Sequence, residues 1–122
     1  MLIKALIVGL GGFFGAIARF GVSSWLQGKM GSFPIGTLLV NLVGSLLLSA
    51  MLFGVFNPKH LSQEYKLLLM VGFCGSLTTM STFAMDFFQL SSASQIAHSI
   101  GYLLLNVVGC ILMIWLGKVV FS

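Results

Sequence analysis

The chain has 122 residues, of which 58% are hydrophobic and only 7% charged. A soluble domain carries about 25% charged residues, so this chain lacks the polar groups to cover a water-facing surface. Its six cations and two acids leave a net charge of +4, but the cations are scattered and form no patch for nucleic acid.

The uncharged runs Met30 to Pro58, Leu67 to Met85 and Phe87 to Gly117 each exceed or approach the ~20 residues a helix needs to cross a bilayer. The N-terminal stretch is interrupted only by Lys4 and Arg19. The pattern predicts an all-α integral membrane protein with four spans, at about residues 2–26, 34–56, 65–90 and 95–121.

The first span opens with "MLIKALIVGLGGFFGAIA", which has some features of a signal peptide. Glycines crowd its apolar centre, however, and that argues for a retained helix. Gly11, Gly15 and Arg19 fall four residues apart on one face, with Gly12 and Ala16 beside them. Such small-residue spacing lets helix backbones approach closely, whether inside one unit or between copies. Arg19 is the one cation well inside a span. It either draws anions toward a polar vestibule or snorkels to the interface.

The second span is introduced by "QGKMGSFP", with Pro34 at a helix-opening position. Thr37, Asn41, Gly44, Ser45 and Ser49 then recur at helical spacing along one stripe. "NPKHLSQEYK" joins it to the third span, which carries "GFCGSLTTMSTF": two glycines and five hydroxyl residues inside an apolar helix. The glycines weaken the helix, and the hydroxyls compete for its backbone hydrogen bonds. A break at membrane depth is tolerated where the released groups are buried in protein or coordinate something, so the third helix is expected to be broken mid-membrane. Met80, Phe83 and Phe87 follow at spacings that predict one apolar face, and Asp86 lies near the end of the span.

"SSAS" turns into the fourth span, where Ser99, Tyr102, Asn106, Gly109 and Met113 form a second polar and small stripe flanked by Cys110. A single serine is more simply interhelical glue; asparagines, a tyrosine and a hydroxyl cluster on three spans favour a hydrated route. Cys74 and Cys110 lie in apolar runs without a C-x-x-C pattern, and they read as packing residues. His60 and His98 have no ligand-like neighbours. No connection is long enough to separate domains, so residues 1–122 read as a single four-helix transmembrane domain. Lys4, Lys59, Lys66 and Lys118 fall on one side, and Lys29 with Arg19 on the other. So weak an asymmetry permits insertion both ways up, and four short helices leave so little room that association of copies is expected.

The segments "GGFFGAIARF", "FPIGTLLVNLVGS" and "GFCGSLTTMSTF" resemble the three signature regions of the Fluc fluoride channels, also called the CrcB family, in order and over all four spans. The resemblance implies a channel, not an enzyme. It would be a dual-topology antiparallel homodimer in the cell inner membrane, in contact with lipid, with two fluoride pores along the interface. It implies a structural sodium ion at the dimer centre, held by the backbone carbonyls of Gly75 and Thr78. Position by position, Asn41 matches a membrane-embedded asparagine whose amide N–H faces the pore. Phe83 matches one ring of a phenylalanine pair, Ser81 and Thr82 the hydroxyls between the rings, Tyr102 a pore-lining tyrosine, and Arg19 the arginine closing the first motif. Asn106 and Cys110 stand where small hydroxyl residues are commoner in the family. One departure is chemical: the family pattern T-T-F-S-T-F has Met80 in place of its first phenylalanine, exchanging an electropositive ring edge for a polarisable thioether. A small proton-coupled multidrug exporter would have similar length and span number. It would need a carboxylate deep in a helix, and the first span has none.

Overall fold

The computed structural model describes residues 1–54 and 59–122, and among these it is all helical. α1 (Leu2–Leu26) and α2 (Ile35–Phe53) are followed by α3 (Gln63–Lys66), a π-helical segment (Leu67–Cys74) and α4 (Gly75–Leu77). α5 (Met80–Ser92) and α6 (Ile96–Phe121) complete the chain. Taking Gln63–Ser92 together, the structure has four helical stretches long and apolar enough to cross a membrane. The spans expected from sequence agree within a few residues; the expected end of the second, Phe56, lies outside the described residues. Pro34 precedes α2 instead of opening it. "SSAS" is not wholly turn, because α5 continues through Ser92 and the reversal is left to Ala93 and a left-handed Ser94 (φ 59°).

Close approaches give the directions of the spans. α2 begins against the end of α1, where a Cβ on Gly36 would fall 2.7 Å from the Ser23 Cα. α2 and α6 run parallel, with Asn41 bonded to Asn106 and Ser49 donating to the Ile114 carbonyl at 2.6 Å. α5 and α6 are antiparallel, joined where Tyr102 meets Asp86.

The tightest seam lies between α1 and the π segment. A Cβ on Gly72 would fall 2.6 Å from the Val8 carbonyl oxygen and 2.9 Å from the Gly11 Cα, while one on Gly11 would overlap the Leu68 carbonyl. Gly15 is equally hemmed in by the Phe73 carbonyl. Apolar side chains gain nothing by leaving apolar lipid, so membrane helices associate through such backbone proximity. This seam assigns Gly11 and Gly15 to packing within the chain. Gly9 and Gly21, by contrast, have open space around them. The π segment itself, with its wider i→i+5 turns, was not foreseen from an apolar run that reads as ordinary helix.

A small core of Leu38, Phe83, Leu90 and Tyr102, flanked by Phe33, Ile35, Leu42 and Phe87, fills the space between α2, α5 and α6. Phe13, Phe14, Ile17 and Phe20 on α1 and a long row of aliphatic residues on α6 are exposed, as lipid-facing surfaces should be. The expected Met80–Phe83–Phe87 face divides. Phe83 is core, Phe87 packs at its edge, and Met80 is 72% exposed, because it is the first residue of α5 and projects from the interruption.

Candidate functional site

The interruption comes at Thr78 and Thr79. Both have extended dihedrals (φ −81°, ψ 155° and φ −150°, ψ 126°) and separate α4 from α5. Two side chains take over the hydrogen bonds that a continuous helix would make here. The Thr79 N–H, which would normally go to the Gly75 carbonyl, donates to Asn41 Oδ1 at 2.8 Å. The Thr82 N–H, which would go to the Thr78 carbonyl, donates to Thr79 Oγ1 at 3.2 Å, making Thr79 the N-cap of α5. The carbonyls of Gly75 and Thr78 thereby lose their helical donors.

Asn41 is the brace. Its Oδ1 is fixed by the Thr79 N–H, so its Nδ2 must point the other way. From there it donates to the Thr79 carbonyl at 3.2 Å and to Asn106 Oδ1 at 2.9 Å. Asn106 in turn donates from Nδ2 to the Tyr102 carbonyl at 3.0 Å. Both asparagines are buried, at 7% and 4% exposure, and such groups are tolerable in an apolar interior because they are bonded. The stripes read along the second and fourth spans therefore face one another.

A cavity of about 600 Å³ opens beside the brace. Asn41, Asn106, Gly75, Thr78, Met80 and Phe83 all line it, with Cys74 and Cys110 on its walls. Both cysteines are free thiols. Thr79, one of the five hydroxyl residues of the motif expected to bond freed backbone groups, organises the interruption with its backbone and hydroxyl.

The remaining expected site residues stand elsewhere. Ser81 and Thr82 are exposed, and their hydroxyls gather on Thr79 Oγ1 at 3.4 and 3.1 Å. Tyr102 is fully buried behind Phe83 (ring centroids 5.4 Å) and edge-on to Phe33 (5.6 Å). It is not part of the cavity wall, and its hydroxyl donates to Asp86 Oδ2 at 2.8 Å. Arg19 is half-buried on α1, also apart from the cavity. Asn41, expected to turn an amide N–H toward the route, lines the cavity and donates within the chain to the Thr79 carbonyl and to Asn106 Oδ1. No aspartate or glutamate lines the cavity, so the exporter alternative gains no support.

Residues 6–118 match the family model described as CrcB-like protein, Camphor Resistance (CrcB). The chain belongs to the CrcB family. A Methanocaldococcus jannaschii relative named fluoride-specific ion channel FluC is 43% identical over 120 residues, covering 98% of this chain and 94% of its own. Relatives with the same name from Shewanella frigidimarina (40% identity, 98% and 97% coverage) and Hahella chejuensis (39%, 90% and 87%) are similar over comparable lengths. CrcB membership and the four apolar helical stretches together make this a multi-pass membrane protein.

Proposed function

We propose that the chain is a fluoride-selective channel that lets fluoride leave the cell passively across the inner membrane. The observation that carries this reading is the braced interruption opening onto a cavity with amide and hydroxyl groups at its rim. Fluoride holds its water tightly, so a selective route must replace that shell with donors, and several partial sites keep binding weak enough for release. No covalent step is involved. The names carried by the relatives support the same ion.

The functional unit in this reading is an antiparallel homodimer, with two pores and with the interruption at mid-membrane depth. The cavity, open on one side of a single chain, would be walled by the second copy. The weak Lys/Arg asymmetry suits insertion in both orientations. Arg19 would draw anions toward the entrance, where the exposed hydroxyls of Ser81 and Thr82 would meet them. Asn41, Asn106, Phe83 and Met80 would line the narrow part, and Tyr102 would support Phe83 from behind. The carbonyls of Gly75 and Thr78 suit a structural sodium ion: they are oxygen donors, their helical N–H partners are diverted, and both residues reach the cavity. Unwound carbonyls of this kind are sodium ligands in membrane proteins. Bound there, sodium would lower the cost of an anion nearby.

The test is efflux from liposomes containing the purified protein and loaded with fluoride, followed with an ion-selective electrode, against chloride-loaded controls. Fluoride should leave and chloride should be retained. Equal release of the two ions, or of neither, would overturn the proposal. A second result concerns the exposed Met80. Met80→Phe should raise fluoride throughput by about two- to tenfold, the rate equivalent of an aromatic interaction worth ~0.5–1.5 kcal/mol. An unchanged rate would show that position 80 does not touch the ion.

A further inference from the structure

We infer that the cavity beside the interruption carries a soft-cation site, formed by the Cys74 thiol and the Met70 thioether, and that a thiophilic ion of the Cu+ or Ag+ class bound there closes the route. The closure rests on the channel reading above; the binding does not. Both cysteines of the chain and two of its seven methionines, Met70 and Met80, line this one space. Four of the fifteen described lining residues thus carry sulfur, where a chain with two cysteines and seven methionines in 122 residues would supply about one by chance. Neither thiol is spent in a disulfide. Met70 and Cys74 lie four residues apart in the π segment and both reach the cavity, a spacing that brings two side chains of one helix within reach of a single ion. Cys110 lines the same space from α6.

Ligand chemistry sets the class of ion. Thiolate and thioether sulfur select soft cations such as Cu(I), while hard cations go to oxygen. Among the described lining residues there is no carboxylate and no imidazole, so a hard divalent ion finds no anionic oxygen here. On binding, the ion replaces the Cys74 thiol proton, which passes to the buffer; nothing is oxidised or reduced. A monovalent cation on one thiolate leaves the site neutral, so no net charge is carried into an apolar wall. Cys74 is only 3% exposed, which admits a bare ion and keeps bulky thiol reagents out. Soft cations hold hard fluoride weakly, so the bound ion obstructs by filling the cavity and not by capturing the anion.

Silver is the practical probe, because silver fluoride stays dissolved in chloride-free sodium nitrate buffer. Purified Cys110→Ser protein, dialysed against silver nitrate and assayed for metal, should retain silver, and adding Cys74→Ser should abolish that retention. Met70→Leu, close in volume, should weaken it by at least the roughly tenfold that loss of a supporting group costs a metal site. In liposomes, micromolar silver should stop fluoride efflux, each protein being compared with its own silver-free rate. Dithiothreitol should restore the flux, and the Cys74→Ser protein should ignore the metal. Should serine disturb folding, Cys74→Ala serves in its place. Equal silver retention without Cys74, or unchanged affinity in Met70→Leu, overturns the site. Silver held at Cys74 while efflux continues undiminished overturns the closure. Cys74-dependent silver binding by protein that releases no fluoride even before the metal is added supports the site and sinks the transport reading instead.

Discussion

Asn41→Asp is expected to abolish fluoride efflux and to lower thermal stability in the same variant. A carboxylate in this position still accepts from the Thr79 N–H, now 2.8 Å from Oδ1. In place of the Nδ2 donor, however, it sets a second oxygen against the Thr79 carbonyl and Asn106 Oδ1, now at 3.2 and 2.9 Å. Two attractive contacts become repulsive ones at a site only 7% exposed. Each acceptor left without its donor costs about 1–3 kcal/mol, and an ionised carboxylate in an apolar interior costs more. The variant also puts negative charge beside the cavity an anion would cross. The measurement is melting of the purified protein in detergent alongside liposome efflux. Wild-type efflux with an unchanged melting temperature would show that Asn41 neither braces the interruption nor borders the route.

The second large effect is steric. Gly72→Val should prevent recovery of folded protein, because even its Cβ would sit 2.9 Å from the Gly11 Cα and 2.6 Å from the Val8 carbonyl oxygen. Both obstacles are backbone and cannot rotate away. The cost should therefore exceed the ~1–3 kcal/mol of ordinary overpacking. Gly9→Ala and Gly21→Ala, where nothing lies within 4 Å, should be neutral. Gel filtration in mild detergent distinguishes the two classes, and a monodisperse Gly72→Val protein with normal efflux would show that the α1 seam does not require contact.

The sequence was most legible where one physical rule dominated. Uninterrupted apolar length fixed the spans, and helical spacing placed Asn41 and Asn106 on stripes that do face each other. The hydroxyl-rich "GSLTT" pointed to a weakened helix because glycine and hydroxyls act locally. Less legible were features that depend on a partner from another span. Nothing in residues 67–74 distinguishes π from α turns, since the wider turns accompany packing against Gly11 and Gly15. The resemblance gives Tyr102 a place on the route, but its hydroxyl is held by Asp86 one span away and its ring lies against Phe83, a pairing no single span displays. A stripe places Asn41 on a face but cannot show its two acceptors, one of them the backbone carbonyl of Thr79 on another span.

The diverted Thr79 N–H also bears on assembly. In lipid every main-chain donor needs a partner, and a newly inserted third span has none for Thr79 except the Gly75 carbonyl of an unbroken rod. The interruption is thus a property conferred by neighbours: it is satisfied once Asn41 arrives alongside, and it gains its full support when the last span brings Asn106. A peptide of the third segment alone, placed in micelles, would be straight.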